Sequence, residues 1–441
     1  MITTLFIISA LFVTTVFHGI ALNALLLRIA LFIFTLTVLK LASRSKYPFL
    51  KNISFSILIF AFFWFLIELS IWGLAKSGCL KINYPSNVLL SVNANVEKTD
   101  RKPFWGDFSE VFGRWRLPND SIQKLRCEDN SVLKYQTNSF GARDKERSQY
   151  NNTSKKRIIM LGDSFIEGIM VNTRDRLSDL LEKNTGNEHL NFAIVGASPI
   201  NYYLIYKSLA KKLSHDVVII GILPANDFED FSEEGTIGLI NYPIYRPYWK
   251  KSGNKYNLKY SLASINQSYG SLAIYDKPSL IYATKDSVYR NLSFGQKLLI
   301  ELRSSSYVFG FIGEMVSKQA RDKYNQTSIF EEYPKEKWPE FSYSLEKLLE
   351  ESKEKKVLVL TIPILKEIKI YQKNQKNELA PKMASFLKNK GVSYIDLLPI
   401  LAKNQEPESL YQSCDGHWNE NGEKFVSETL LKHPVYQEII R

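Results

Sequence analysis

Apolar positions follow two regimes along this chain. Residues 2–74 are almost continuously apolar and hold a single acid, Glu68, whereas from residue 75 onward apolar and polar residues mix as in an ordinary soluble domain. The stretch ISFSILIFAFFWFLIELSIWGL, residues 53–74, exceeds the roughly 20 residues that cross a bilayer core and predicts a transmembrane helix. Residues 2–41, interrupted only by His18, Asn23, Arg28 and Lys40, are long enough for two more. A removable signal peptide is the competing reading, but MITTLFIISA lacks a basic start and no small-residue cleavage site follows. Three helices over residues 1–76 are therefore expected to anchor the chain. Arg28 and Glu68 would lie ~7 and ~10 Å below the outer surface, at depths where antiparallel spans can hold them as an ion pair.

The loop between spans carries Lys40, Arg44, Lys46 and Lys51, and such loops stay cytoplasmic. The last span then runs outward. The expected location is a bacterial inner membrane, with the remainder of the chain in the periplasm or outside the cell.

Residues 77–150 read as a polar, aromatic-containing lead-in of loops and short strands. From residue 151 the pattern changes to strand-like runs (RIIMLG, LNFAIVG, DVVIIGIL, KVLVLTIPI, VSYIDLLP) separated by helical stretches near 175–183, 202–213, 339–355 and 379–390. Such alternation predicts an α/β domain with about five parallel strands and helices on both faces. An insertion over about 228–335 interrupts it. This segment contains a hairpin turning at 252–254 and a helix over 294–315, and its Tyr and Trp residues are open to two roles, stacking on sugar rings or packing on one another.

At 45% hydrophobic and 23% charged, the composition excludes disorder. The net charge of +12 suggests nucleic acid until it is divided: the six Lys or Arg and one acid of residues 1–76 account for +5, and +7 is spread over the other 365 residues. No basic block, helix-turn-helix or zinc-finger spacing accompanies it, so nucleic-acid binding is not expected. Cys79, Cys127 and Cys414 form no CxxC pair, which argues against a metal cluster. One disulfide would suit an oxidising compartment, and the sequence leaves its pairing open.

Chemistry enters with RIIMLGDSFIEG, residues 157–168, where Ser164 sits at the carboxyl end of an expected strand. Alone, Gly-Asp-Ser is ordinary turn chemistry. A serine hydroxyl is a poor nucleophile that needs a base, usually a histidine oriented by a carboxylate. Of His189, His215, His417 and His433, only His417 lies at a strand's ligand-binding end with a nearby acid, Asp415. Ser164, His417 and Asp415 form the candidate triad. The Ser164 and Gly196 backbone N–H groups and the Asn226 side-chain amide are candidate oxyanion donors. Asp163 is expected to orient its loop, and Asp227 to cap or brace a helix. The triad needs no metal or cofactor.

These blocks, GDSF…G at 162–168, Gly196, Asn226-Asp227 and DGHW at 415–418, resemble the SGNH, or GDSL-type, hydrolases in order and spacing over residues 157–431. The resemblance implies a flavodoxin-like three-layer α/β/α fold, Ser164 as nucleophile, His417 as base, and Ser164, Gly196 and Asn226 as the oxyanion hole. Two departures stand out. Pro224 replaces the glycine usual in the third block, and Cys414 sits where the last block often has its acid, the acid being Asp415 instead. The Asp-x-His form is similar to SGNH-like proteins that O-acetylate exported polysaccharide, and NSFGARD at 138–144 looks like the lead-in of membrane-attached relatives.

The expected activity is that of a membrane-anchored serine esterase acting on acyl esters, O-acetyl foremost, of cell-surface polysaccharide. An O-acetyltransferase of exported glycan is the runner-up, and a non-catalytic glycan binder the third reading. A membrane acyl-donor or polysaccharide-export protein is the expected partner.

Overall fold

The computed structural model describes residues 40, 46–80, 107–109, 111–228, 246–253, 255–260, 294–295 and 306–441. The spans expected within 2–41, and Arg28 with them, lie outside these residues. The chain divides into two compact units. One comprises Met1–Thr99, Thr236–Pro243 and Pro278–Lys323, the other Asp100–Gly235, Ile244–Lys277 and Tyr324–Arg441. Much of the lead-in thus belongs with the α/β domain, and parts of the insertion with the N-terminal segment.

In the first unit, residues 53–74 fold within α1, Pro48–Lys76, a continuous helix of 29 residues. Several of its side chains lie outside the described set, and counted over the described residues no helix is long and apolar enough to cross a membrane. Phe55, Phe60 and Phe63 on α1 are more than half exposed. Glu68, expected opposite Arg28, caps another helix. Its carboxylate accepts from the backbone N–H of Tyr307 at 2.7 Å and Val308 at 3.4 Å, and from the Ser306 hydroxyl. A negative charge at a helix start satisfies orphan amides and complements the dipole. The insertion's helix accordingly has a defined start at Tyr307 and runs on to Gln326, past the expected end.

In the second unit, β1 (Asp107–Ser109) pairs with β2 (Gly113–Trp115), and β3 (Ser121–Leu125) with β4 (Val132–Gln136). The main sheet comprises β5 (Arg157–Leu161), β6 (Glu188–Asn191), β7 (Val217–Ile222), β10 (Lys356–Thr361) and β11 (Ser393–Asp396), while β8 (Pro247–Ser252) and β9 (Lys255–Tyr260) form the expected hairpin. All main-sheet pairs are parallel, in the order β11-β10-β7-β5-β6. In chain order this reads 2-1-3-4-5, the flavodoxin-like arrangement, with its topological switch between β5 and β7.

Both switch-point strands are buried along their whole length, which is why RIIML and VVIIGI read as unbroken apolar runs. The helices of this unit are α2 (Ser164–Glu167), α3 (Leu177–Thr185), α4 (Pro199–Ser208), α5 (Pro224–Asp227), α7 (Trp338–Glu351), α8 (Leu365–Asn374), α9 (Leu379–Lys388), α10 (Leu398–Leu401), α11 (Glu420–Lys432) and α12 (Pro434–Ile440); Tyr307–Gln326 is α6. Helix α4 packs on α7, and α3 on α11. Because the β5-to-β6 and β6-to-β7 crossovers run in opposite directions and parallel crossovers are right-handed, these pairs cover opposite faces.

Trp249, an aromatic of the insertion, is a packing residue. Trp249 lies 4.9 Å from Tyr343 and 6.1 Å from Tyr203, ring centroid to centroid, and its Nε1–H donates to Ser344 Oγ at 2.8 Å. Trp249 is buried, so it offers no platform to a sugar.

Candidate active site

The position of Ser164, the candidate nucleophile, follows from a close contact. Gly162 ends β5 where a Cβ would lie 2.5 Å from Ile166 Cγ1, so only glycine lets α2 fold back onto the strand end. Gly221 of the neighbouring β7 meets the same isoleucine. Asp163 caps α2 by accepting from Phe165 N–H at 3.0 Å, which sets Ser164 as the first helical residue. The hydroxyl is thereby presented at the switch point, outside the carboxyl ends of β5 and β7.

His417 and Asp415 arrive on a loop closed at its base by the Tyr411–Trp418 bridge, with Gln412 N–H donating to His417 O at 2.7 Å and Gly416 N–H to Gln412 O at 2.9 Å. The His417 ring packs 4.9 Å from Phe165 of α2, which in turn stands edge-on to Trp418 at 5.0 Å. His417 Nε2 lies 2.7 Å from Ser164 Oγ, and Nδ1 bonds Asp415 Oδ1. The hydrogen bond from His417 holds the Asp415 carboxyl below its ordinary value, although partial burial acts the other way.

The oxyanion candidates are also at strand ends. Gly196 follows β6 with φ +69°, a left-handed conformation that favours glycine. Among the described residues, neither Ser164 N–H nor Gly196 N–H has a hydrogen-bond acceptor. Asn226, in α5 after β7, donates one amide hydrogen to Asp163 Oδ2 at 3.2 Å. Its amide group carries two, so one remains for a ligand.

Asp163 stands at the centre of this arrangement, fully buried, with its Oδ2 3.5 Å from Ser164 Oγ. Burial raises its carboxyl from 3.8 to about 6, against the hydrogen bond from Phe165, the charge of His417 and the hydrogen bond from Asn226. The folded protein binds this proton more tightly than the unfolded chain. The associated stability is full below pH 3.8 and lost as pH rises through about 6. Thermal melts across that interval should show the loss, and Asp163→Asn, which does not titrate there, should flatten it. Asp227 is elsewhere engaged: buried, it accepts from Leu223 N–H at 2.8 Å and Tyr202 OH at 3.0 Å, bracing α5 onto α4.

The sequence reading missed two neighbours of the site. The β3–β4 hairpin clamps the histidine loop: Cys127 is disulfide-bonded to Cys414, Arg126 pairs with Glu420, and Glu128 accepts from Ser413 Oγ at 2.8 Å. Cys79 is the free, exposed thiol. The second neighbour is the buried ion pair of Arg116 with Glu167, at 2.7 Å. Neither carries a local sequence signal beyond the cysteines themselves. A cavity of about 600 Å³ lies at the opposite, amino ends of β10 and β11 among Lys356, Val357, Val392 and Ser393, and it holds none of the candidate site residues.

No family model and no curated protein matches the chain. Solved structures do. A lipolytic protein of the G-D-S-L family from Veillonella parvula is 9% identical, covering 63% of this chain and 96% of its own, with a TM-score of 0.31. The lipase/acylhydrolase from Enterococcus faecalis is 12% identical, covering 65% and 95%, at 0.31. A GDSL-like lipase from Bacteroides thetaiotaomicron is 10% identical, covering 66% and 93%, at 0.30. At such identities and scores the likeness carries no argument about chemistry, which rests on the site's own geometry.

Proposed function

We propose that this chain is a membrane-anchored serine esterase whose catalytic domain works outside the cytoplasm on acyl esters, foremost O-acetyl groups of surface polysaccharide. The observation that carries the reading is the relay Asp415–His417–Ser164, with Nε2 2.7 Å from an Oγ that lies 253 residues away in sequence. In this reading His417 takes the Ser164 proton as Oγ attacks the ester carbonyl. The developing oxyanion is met by Ser164 N–H, Gly196 N–H and the remaining Asn226 amide hydrogen. The imidazolium is stabilised by Asp415, and its proton goes to the leaving alcohol. Water, deprotonated by His417, then releases the acyl group from Ser164.

The location rests on the basic loop between spans, on the exposed phenylalanines of α1, and on the Cys127–Cys414 disulfide, which suits an oxidising compartment. O-Acetyl transfer shares every step up to the acyl-enzyme, and the Asp415-x-His417 form keeps it as the second reading. The full chain in detergent should release p-nitrophenol from p-nitrophenyl acetate. An added oligosaccharide that gains the mass of an acetyl group marks transfer, and an unchanged one marks hydrolysis. No turnover by folded protein would leave only glycan binding.

A further inference from the structure

Between β6 and α4, nearly every backbone N–H is committed. Phe192 N–H donates to Met160 O at 2.9 Å, Ala193 N–H to Asn191 Oδ1 at 3.1 Å, Ile194 N–H to Gly162 O at 3.2 Å and Ala197 N–H to Ile194 O at 3.1 Å. Val195 N–H goes to a side chain, Glu167 Oε2, at 2.5 Å. Gly196 N–H alone in this run has no acceptor among the described residues. The loop is therefore pinned on both sides of the one donor it can offer an oxyanion.

Glu167 is the last residue of α2, the helix that begins with Ser164, and it is completely buried. Its other oxygen takes Arg116 at 2.7 Å, and the same guanidinium donates to Ala193 O at 2.7 Å. Arg116 follows β2, in the lead-in, and it too is buried. Charge and geometry thus converge on one loop: the carboxylate holds the Val195 amide, and its counter-ion holds the Ala193 carbonyl. A buried carboxylate stripped of such a partner would be costly, so the pair stands or falls together.

We infer that Glu167, held by Arg116, is the positioning residue that fixes the oxyanion-donating loop 193–196 to the helix bearing Ser164. The assignment rests on the esterase reading for its catalytic consequence but not for its structural one. Neither residue touches the reacting atoms. They act by keeping Gly196 N–H aimed before the substrate arrives, so that no reorganisation accompanies the reaction.

Glu167→Gln is the test, in the full chain. Arg116 would claim the single carbonyl oxygen of the glutamine, turning its amide hydrogens toward Val195 N–H and breaking the hold on the loop. Turnover of p-nitrophenyl acetate should then show kcat lowered about 10- to 100-fold with KM within about twofold, the cost of a small misplacement. Amide hydrogen exchange over residues 194–197 should speed up in Glu167→Gln and stay unchanged in Ser164→Ala. An active wild type whose Glu167→Gln variant keeps its kcat, or loses only KM, overturns the inference. A wild type without Ser164-dependent turnover overturns the esterase reading instead, and exchange then decides: unaltered protection at 194–197 in Glu167→Gln sinks the positioning role. Should Glu167→Gln fail to fold, Arg116→Met with Glu167→Met replaces the pair with apolar side chains of similar length, and the same two readouts apply.

Discussion

Ser164→Ala should lower kcat/KM for p-nitrophenyl acetate by at least about 10³-fold and abolish labelling by a fluorophosphonate probe, with thermal stability nearly unchanged. The asymmetry is the informative part. Ser164 Oγ makes two contacts, to His417 Nε2 at 2.7 Å and to Asp163 Oδ2 at 3.5 Å, so its removal disturbs little of the fold. Only the first of them lies on the proton's path. His417→Ala should cause a loss of similar size, and the double variant little more than either single one, because residues that act as one relay do not contribute additively. Labelling of Ser164→Ala at the wild-type rate would place the nucleophile elsewhere and end the proposal. Equal, additive losses from Ser164 and His417 would deny that they work as a relay.

How far this site could be read from sequence depended on the kind of constraint behind each residue. Central parallel strands bury both faces, so β5, β7 and β10 had to be written as continuous apolar runs, and their ends were visible as turns. That was enough to bring Ser164, Asn226 and His417 to one edge, because a parallel sheet puts all its carboxyl ends together. Helix α8 was not seen. LKEIKIYQKN buries only Glu367 and Ile368, too sparse a stripe to register as a helical period. Arg116–Glu167 was illegible for a different reason: a buried ion pair between distant segments has no spacing rule, and its meaning depends on where Val195 N–H ends up. The insertion's aromatics were left open between two roles because composition is the same for a sugar platform and for a packed cluster; burial of Trp249 among Tyr203 and Tyr343 is a tertiary fact.

Reduction of Cys127–Cys414, or Cys127→Ser, should lower stability by about 2–5 kcal/mol and depress kcat more than it changes KM. The bond joins residues 287 apart and so removes much freedom from the unfolded chain. Its local effect follows from where it lies. Cys414 directly precedes Asp415, and residues 413–416 form the exposed tip of a loop whose base alone is closed, by Tyr411 and Trp418. With the covalent link cut, the hairpin still meets this segment through Arg126–Glu420, the hydrogen bonds from Ser413 N–H and Oγ to Glu128, and the charge of Lys124 acting on Asp415. These ties are partly exposed and so worth little individually. Asp415 would then sample positions off the His417 ring, and the imidazolium formed in the reaction would lose part of its stabilisation. Cys79→Ser is the control: that thiol is free and exposed, and both readouts should stay at wild-type values. Full kcat after reduction, with thiol titration verifying that Cys127 and Cys414 are free, would show that the Tyr411–Trp418 closure suffices and that the hairpin contributes stability alone.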